Sequence, residues 1–158
     1  MIGQCYCQHI DPAEWHEKEQ TWEEPRFFYR VPTRLAMHNP LTYNEDISFA
    51  MMEAKSKGYF IKPDAIILLK SGLFRGEILI ETKQPEGEKN PDCLRLQGSF
   101  YTFVSGAPFT RMGEVMDGIL RHLKKKGRTV RDVYLRLITC PLCTGYKGYN
   151  TIIMAHLK

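Results

Sequence analysis

The stretch TRMGEVMDGILRHLKKKG, Thr110–Gly127, reads as one amphipathic helix and organises the rest of the chain. Met112, Val115, Met116, Ile119, Leu120 and Leu123 recur at the three- and four-residue spacings that line one helix face. Thr110 suits an N-cap, and Gly127 suits a left-handed C-terminal turn. Sixty-nine residues earlier the pattern returns. Met116, Ile119, Leu120 and Leu123 fall on Ile47, Ala50, Met51 and Ala54, and Lys126-Gly127 falls on Lys57-Gly58. Pro108-Phe109-Thr110 is echoed by Pro40-Leu41-Thr42 at a one-residue offset. A match this long predicts a duplicated unit.

Each unit reads strand, helix, strand, strand. The expected strands are 27–37, 65–69 and 77–83 in the first unit, and 94–104, 133–139 and 149–156 in the second, with helices over 44–57 and 111–125. A three-stranded sheet with one helix cannot cover both of its faces. Two units side by side make a longer antiparallel sheet, with both helices on one face and a cleft on the other. The expected class is α+β. The domain division is residues 1–26 as an N-terminal extension, and 27–158 as one domain of two repeats, 27–83 and 94–158, joined by linker 84–93. Trp15 and Trp22, seven apart among acidic residues, suggest an amphipathic helix folded over the cleft.

Composition bounds the rest. The chain has 158 residues, of which 43% are hydrophobic and 25% charged, enough for one well-packed domain. No apolar run reaches the ~18 residues of a membrane span, and acids in the first twenty residues argue against a secretory signal. A cytoplasmic location is expected. Residues 111–136 hold eight bases against three acids. A solvated helix end accounts for them better than nucleic-acid binding does.

The segment Gly98-Ser-Phe-Tyr-Thr-Phe-Val, then Pro108-Phe-Thr, a helix, Lys126-Gly127 and Asp132-Val-Tyr-Leu-Arg-Leu-Ile resembles the second repeat of the GyrI-like family. That family includes the effector-binding domains of multidrug-sensing bacterial transcription activators of the MerR and AraC types. The likeness covers residues 27–158 and is stronger in the second half. It implies a duplicated strand-helix-strand-strand fold, with an aromatic-lined cleft that takes bulky compounds. No helix-turn-helix is read before residue 27, so the chain looks like a stand-alone member, with a separate transcription regulator as a conceivable partner. Some stand-alone members hydrolyse reactive electrophilic natural products in that cleft, so binding and hydrolysis both stay open.

The expected ligand residues are Tyr101, Phe103, Tyr134, Arg136, Ile138, Tyr149 and Glu81, with Glu81 also the candidate catalytic carboxylate, as a general base toward water. In the drug sensors an acid follows the Asp-Val-Tyr run; here Leu135 and Arg136 stand there. Leu135 alternates with Val133 and Leu137 toward the helices, which turns Tyr134, Arg136 and Ile138 to the opposite face. A positive charge in place of a negative one favours a neutral or anionic aromatic ligand over a cation. Arg136 as a rim residue whose stem merely reaches solvent is the competing reading.

Two metal readings are weighed and set second. Asp64, Glu81 and Lys83 have the layout of a metal-dependent nuclease, yet a turn dipeptide followed by a half-exposed strand explains them as well. Cys140-Pro-Leu-Cys143 has ligand spacing for zinc, and Cys5 and Cys7 could complete a tetrahedron. Only one half is a two-residue-spaced knuckle, and the chain ends would have to meet. Reduced thiols are preferred, with no metal and no cofactor expected.

Overall fold

The structure, a computed structural model, describes residues 5–72, 74–85 and 92–158. Helices α1 (Tyr43–Ser56) and α2 (Met112–Lys125) start 69 residues apart and end 69 residues apart, as the repeat requires. Gly58 and Gly127 close them at φ 88° and 73°, a conformation that strains any residue with a Cβ. The strands are β1 (Lys18–Ala36), β2 (Asn39–Pro40), β3 (Ile67–Ser71), β4 (Arg75–Thr82), β5 (Cys93–Ser105), β6 (Val130–Leu137) and β7 (Thr151–Leu157). A single turn of helix, α3 (Thr144–Lys147), joins β6 to β7. Of the expected linker 84–93, residues 86–91 lie outside the described residues.

The strands form one antiparallel sheet in the order β2-β1-β4-β3-β6-β7-β5. The order is symmetric about its middle: β1 corresponds to β5, β4 to β7 and β3 to β6. The seam between the repeats is thin, with β3 and β6 paired at Leu69 and Leu135. Both helices press on one face. Ile47 and Ala50 of α1, Ile119 and Leu123 of α2, and Ile78 and Leu135 of the sheet belong to one buried cluster. An α+β fold of two repeats with helices on one face is what the periodicity predicts. Among the described residues no helix is long and apolar enough to cross a membrane.

Residues 18–26 are strand, not the helix that the spacing of Trp15 and Trp22 suggests. Lys18–Trp22 pair with Thr102–Gly98 of β5, and Arg26–Tyr29 with Leu96–Cys93. Phe27–Arg34 pair at the same time with Thr82–Arg75 of β4. The division at residue 26 therefore falls inside β1. Paired along both edges, β1 closes the sheet into a barrel and leaves it few open strand edges. The enclosed side fills with apolar residues, among them Trp22, Phe28, Leu68, Leu79, Phe100 and Tyr134. The Trp22 ring lies 4.7 Å from Phe100 and 6.1 Å from Phe28, centroid to centroid.

Of the N-terminal extension, Trp22 is the residue buried in this interior, with Ile10 and Trp15 packed against it. Trp22→Ala should therefore cost about 3–5 kcal/mol of folding stability, the usual loss for emptying a large aromatic site. Urea denaturation followed by circular dichroism measures it. A cover lying loosely on a finished domain would lose almost nothing.

Candidate functional site

The pairing of β1 with β5 is interrupted, and the interruption makes a cleft. From Trp22 to Arg26 β1 advances four residues while its partner β5 advances two, from Gly98 to Leu96. Gly98 takes φ 114°, which a β-bulge tolerates best from glycine. Glu23, Glu24 and Pro25 leave the ladder and form one wall of a cleft of 680 Å³. Lys62, Asp64, Glu81 and Arg136 stand on its other sides. A second lobe of 620 Å³ lies against residues 5–10 and shares Lys62, Asp64 and Arg136.

Glu81 is buried, at 2% exposure, and its oxygens are committed. Oε2 accepts from Lys62 Nζ at 3.0 Å and from Arg26 Nη1 at 3.3 Å, while Oε1 accepts from the Ile66 amide at 3.2 Å. A buried carboxylate is tolerable only with such partners. Arg136 is half-buried and less well matched. Its Nε donates to Gln8 Oε1 at 2.6 Å, and its guanidinium carbon lies 5.3 Å from the Trp15 ring centroid. Among the described residues no carboxylate forms an ion pair with it. Burial, reinforced by the nearby Arg26 charge and opposed by Glu81, pulls its pKa down to about 10. The cleft thus holds a guanidinium that, among the described residues, pairs with a neutral amide and not with a carboxylate.

Gln8 positions that cation. Its amide nitrogen Nε2 donates to the Ile67 carbonyl at 2.9 Å, and its backbone N–H donates to the Ile138 carbonyl at 3.1 Å. One residue therefore bridges β3 and the end of β6 where the seam between repeats is thinnest. Nothing in the sequence marks Gln8, Arg26 or Lys62 as site residues, because no spacing rule links them to Glu81 or Arg136.

The expected ligand residues divide between the two faces of the sheet. Tyr134, Arg136, Ile138 and Glu81 lie on the face away from the helices, as the alternation in β6 and β4 predicts. Tyr134 is 2% exposed and belongs to the packed interior, so it offers no ligand surface. Ile138 packs against the same interior. Tyr101, Phe103 and Tyr149 sit on the helix face. Tyr101 and Phe103 line a separate hollow of 250 Å³ with Val115, Ile119 and His122, and Tyr149 meets Phe109 edge-on at 5.1 Å. An aromatic lining shared by all of them does not form.

The nuclease constellation does not assemble either. Asp64 and Glu81 share the cleft, but Lys83 lies elsewhere, its Nζ 4.3 Å from the Phe60 ring centroid. The cysteines, by contrast, converge. The sulfur atoms of Cys5, Cys7, Cys140 and Cys143 all lie within 4.8 Å of one another, so the two chain ends do meet. Burial opposes ionisation of Cys140, yet hydrogen bonds from Asn44, the Tyr6 backbone, Cys143 and Cys7 outweigh it and bring this thiol down to about 6. Among the described residues these four form the cluster able to hold a metal ion; Cys93 stands apart.

This architecture is an α+β domain with the GyrI-like fold. The chain belongs to the bacterial hydrolase family, whose sequence profile matches residues 3–157. In fold it is similar to the C-terminal domain of EcmrR, with a TM-score of 0.63 and 11% identity over 100% of this chain and 99% of that one. It is similar also to an uncharacterized conserved protein from Listeria innocua, with a TM-score of 0.55 and 12% identity over 91% of this chain and 94% of that one. A hydrolase from Listeria innocua superimposes with a TM-score of 0.53 and 11% identity, over 90% and 93% of the two chains. Among curated proteins none matches the chain.

Removing the side chain of Gln8 separates its role from that of its backbone. Gln8→Ala deprives the Arg136 Nε and the Ile67 carbonyl of their partner and should lower stability by about 1–3 kcal/mol. Thermal denaturation of the two proteins side by side measures the difference. An unchanged midpoint would mean that residues 5–10 are not seated on the seam.

Proposed function

We propose that the chain binds a small organic anion, with its carboxylate on Arg136 and its body in the cleft between the bulge of β1 and Lys62. One observation carries this reading: Arg136 is half-buried in the cleft with one N–H given to a neutral glutamine and, among the described residues, no carboxylate paired with it. A guanidinium has five donors in a fixed fork, and a carboxylate satisfies two of them at once. Arg26 and Lys62 share the cleft, but Glu81 already engages both. Apolar contact comes from Trp22, Pro25 and Ile66. An aromatic carboxylate suits this site better than a neutral aromatic, and both suit it better than a cation. The GyrI-like fold supports small-molecule binding as the general class.

Membership of the bacterial hydrolase family favours a second reading, hydrolysis in the same cleft. Asp64 is then the better base, because it is exposed and lines both lobes while the oxygens of Glu81 are occupied. Asp64 would draw a proton from water, and Arg136 with Lys62 would stabilise the developing oxyanion. Asp64→Asn should then abolish turnover of an activated aromatic ester without weakening the binding of its carboxylate product.

Calorimetric titration tests the primary reading with three probes of one shape: an aromatic carboxylate, the matching amide and the matching trimethylammonium. The carboxylate should bind tightest. Arg136→Gln should weaken it by roughly ten- to a hundredfold, the worth of a charge-assisted hydrogen bond, and leave the amide unchanged. Equal affinity for the ammonium compound, or no effect of Arg136→Gln, would overturn the proposal.

A further inference from the structure

We propose that Cys5, Cys7, Cys140 and Cys143 bind one zinc ion in a closed tetrahedral site that fastens the N-terminal segment to the connection between β6 and β7. The sulfur geometry carries the proposal. Zinc–thiolate bonds of about 2.3 Å place neighbouring sulfurs of a tetrahedron about 3.8 Å apart. Here Cys5 lies 3.4 Å from Cys143 and 3.8 Å from Cys140, Cys7 lies 3.6 Å from Cys140, and Cys140 lies 3.6 Å from Cys143. A disulfide needs about 2.05 Å, and all four sulfurs are free thiols. Four sulfurs that approach one another pairwise, and not as two couples, fit a shared central ion.

The surrounding donors match the charge that such a site would carry. Zinc with four thiolates has a net charge of two minus, which neighbouring N–H and O–H groups must offset. The Cys140 amide donates to Cys7 Sγ at 3.3 Å, the Tyr146 hydroxyl donates to Cys143 Sγ at 3.0 Å, and Lys147 Nζ lies 3.9 Å from Cys7 Sγ. The Cys140-Pro-Leu-Cys143 turn is closed by the Cys143 amide on the Cys140 carbonyl at 2.9 Å, which directs both sulfurs to one side. Zinc binding displaces the remaining thiol protons to solvent and involves no electron transfer. All four positions are protein sulfur, so the site is structural and not catalytic.

The site also has work to do. It joins residues more than 130 positions apart in sequence, and so closes a long loop. It holds Cys7 next to Gln8, whose amide positions Arg136.

Metal analysis of the full chain, purified under reducing conditions from cells grown with zinc, tests the proposal. One zinc per chain is expected. Replacement by Co(II) should give the intense visible absorption of tetrahedral cobalt together with thiolate charge-transfer bands. Cys5→Ser alters the exposed ligand and should cut zinc retention at least tenfold while leaving the far-ultraviolet spectrum native. Cys93→Ser should still hold one zinc. Protein that stays metal-free in excess zinc with four reactive thiols, that holds iron instead, or that forms a disulfide within the cluster, would overturn the proposal.

Discussion

The double pairing of β1 is the constraint on which the rest of the structure depends. Over Phe27–Tyr29 this strand is bonded to β4 on one edge and to β5 on the other. Two repeats that would otherwise make an open, curved sheet are thereby closed, and the curved face becomes an interior. Phe28 and Phe100 are fully buried there, and Tyr134 nearly so. Apolar side chains on that face contribute more by packing together than by waiting for a ligand, at ~25 cal/mol per Å² of surface removed from water. What remains accessible is the place where pairing fails: the bulge in β1 and the thin seam between β3 and β6. The cleft is polar because the bulge inside β1, the connection before β3, and Glu81 and Arg136 near the ends of β4 and β6 bring charged residues to it.

Charge in that cleft is arranged asymmetrically. Lys62 and Arg26 converge on Glu81, which settles one negative charge with two positive ones. Arg136 stands beside this group with a neutral partner and an aromatic one. Glu23, Glu24 and Asp64 line the same cleft, so the proposed preference for an anion rests on Arg136 itself and not on an excess of positive charge. Under the proposed reading, an incoming carboxylate would pair with Arg136 while Lys62 and Arg26 keep Glu81.

The helices and six of the strands were legible because their periods are strong and are stated twice. Even the parity of β6 could be read, since Val133, Leu135 and Leu137 contrast with Asp132 and Arg136. In β5 it could not. Phe100, Thr102 and Val104 alternate with Tyr101 and Phe103, both rows are apolar, and only tertiary closure decides which row turns inward. Residues 18–22 misled for a related reason: Trp15 and Trp22 share a helical spacing, while Lys18–Thr21 are all polar and carry no two-residue alternation, so that pairing with β5 alone makes them strand. The cysteine spacings were visible from the start. Their convergence was not, because it depends on the path of residues 5–10 across the seam, and Gln8 sets that path through hydrogen bonds that leave no pattern in sequence.

A crystal structure of the protein with an aromatic carboxylate bound tests the central claim most directly. The account predicts ligand density in the cleft bounded by the Glu23–Arg26 bulge, with the carboxylate within hydrogen-bonding distance of the Arg136 guanidinium and β1 still paired to β5. Density in the hollow between Tyr101, Phe103 and α2, or a ligand that enters the barrel interior by displacing Trp22, would contradict it.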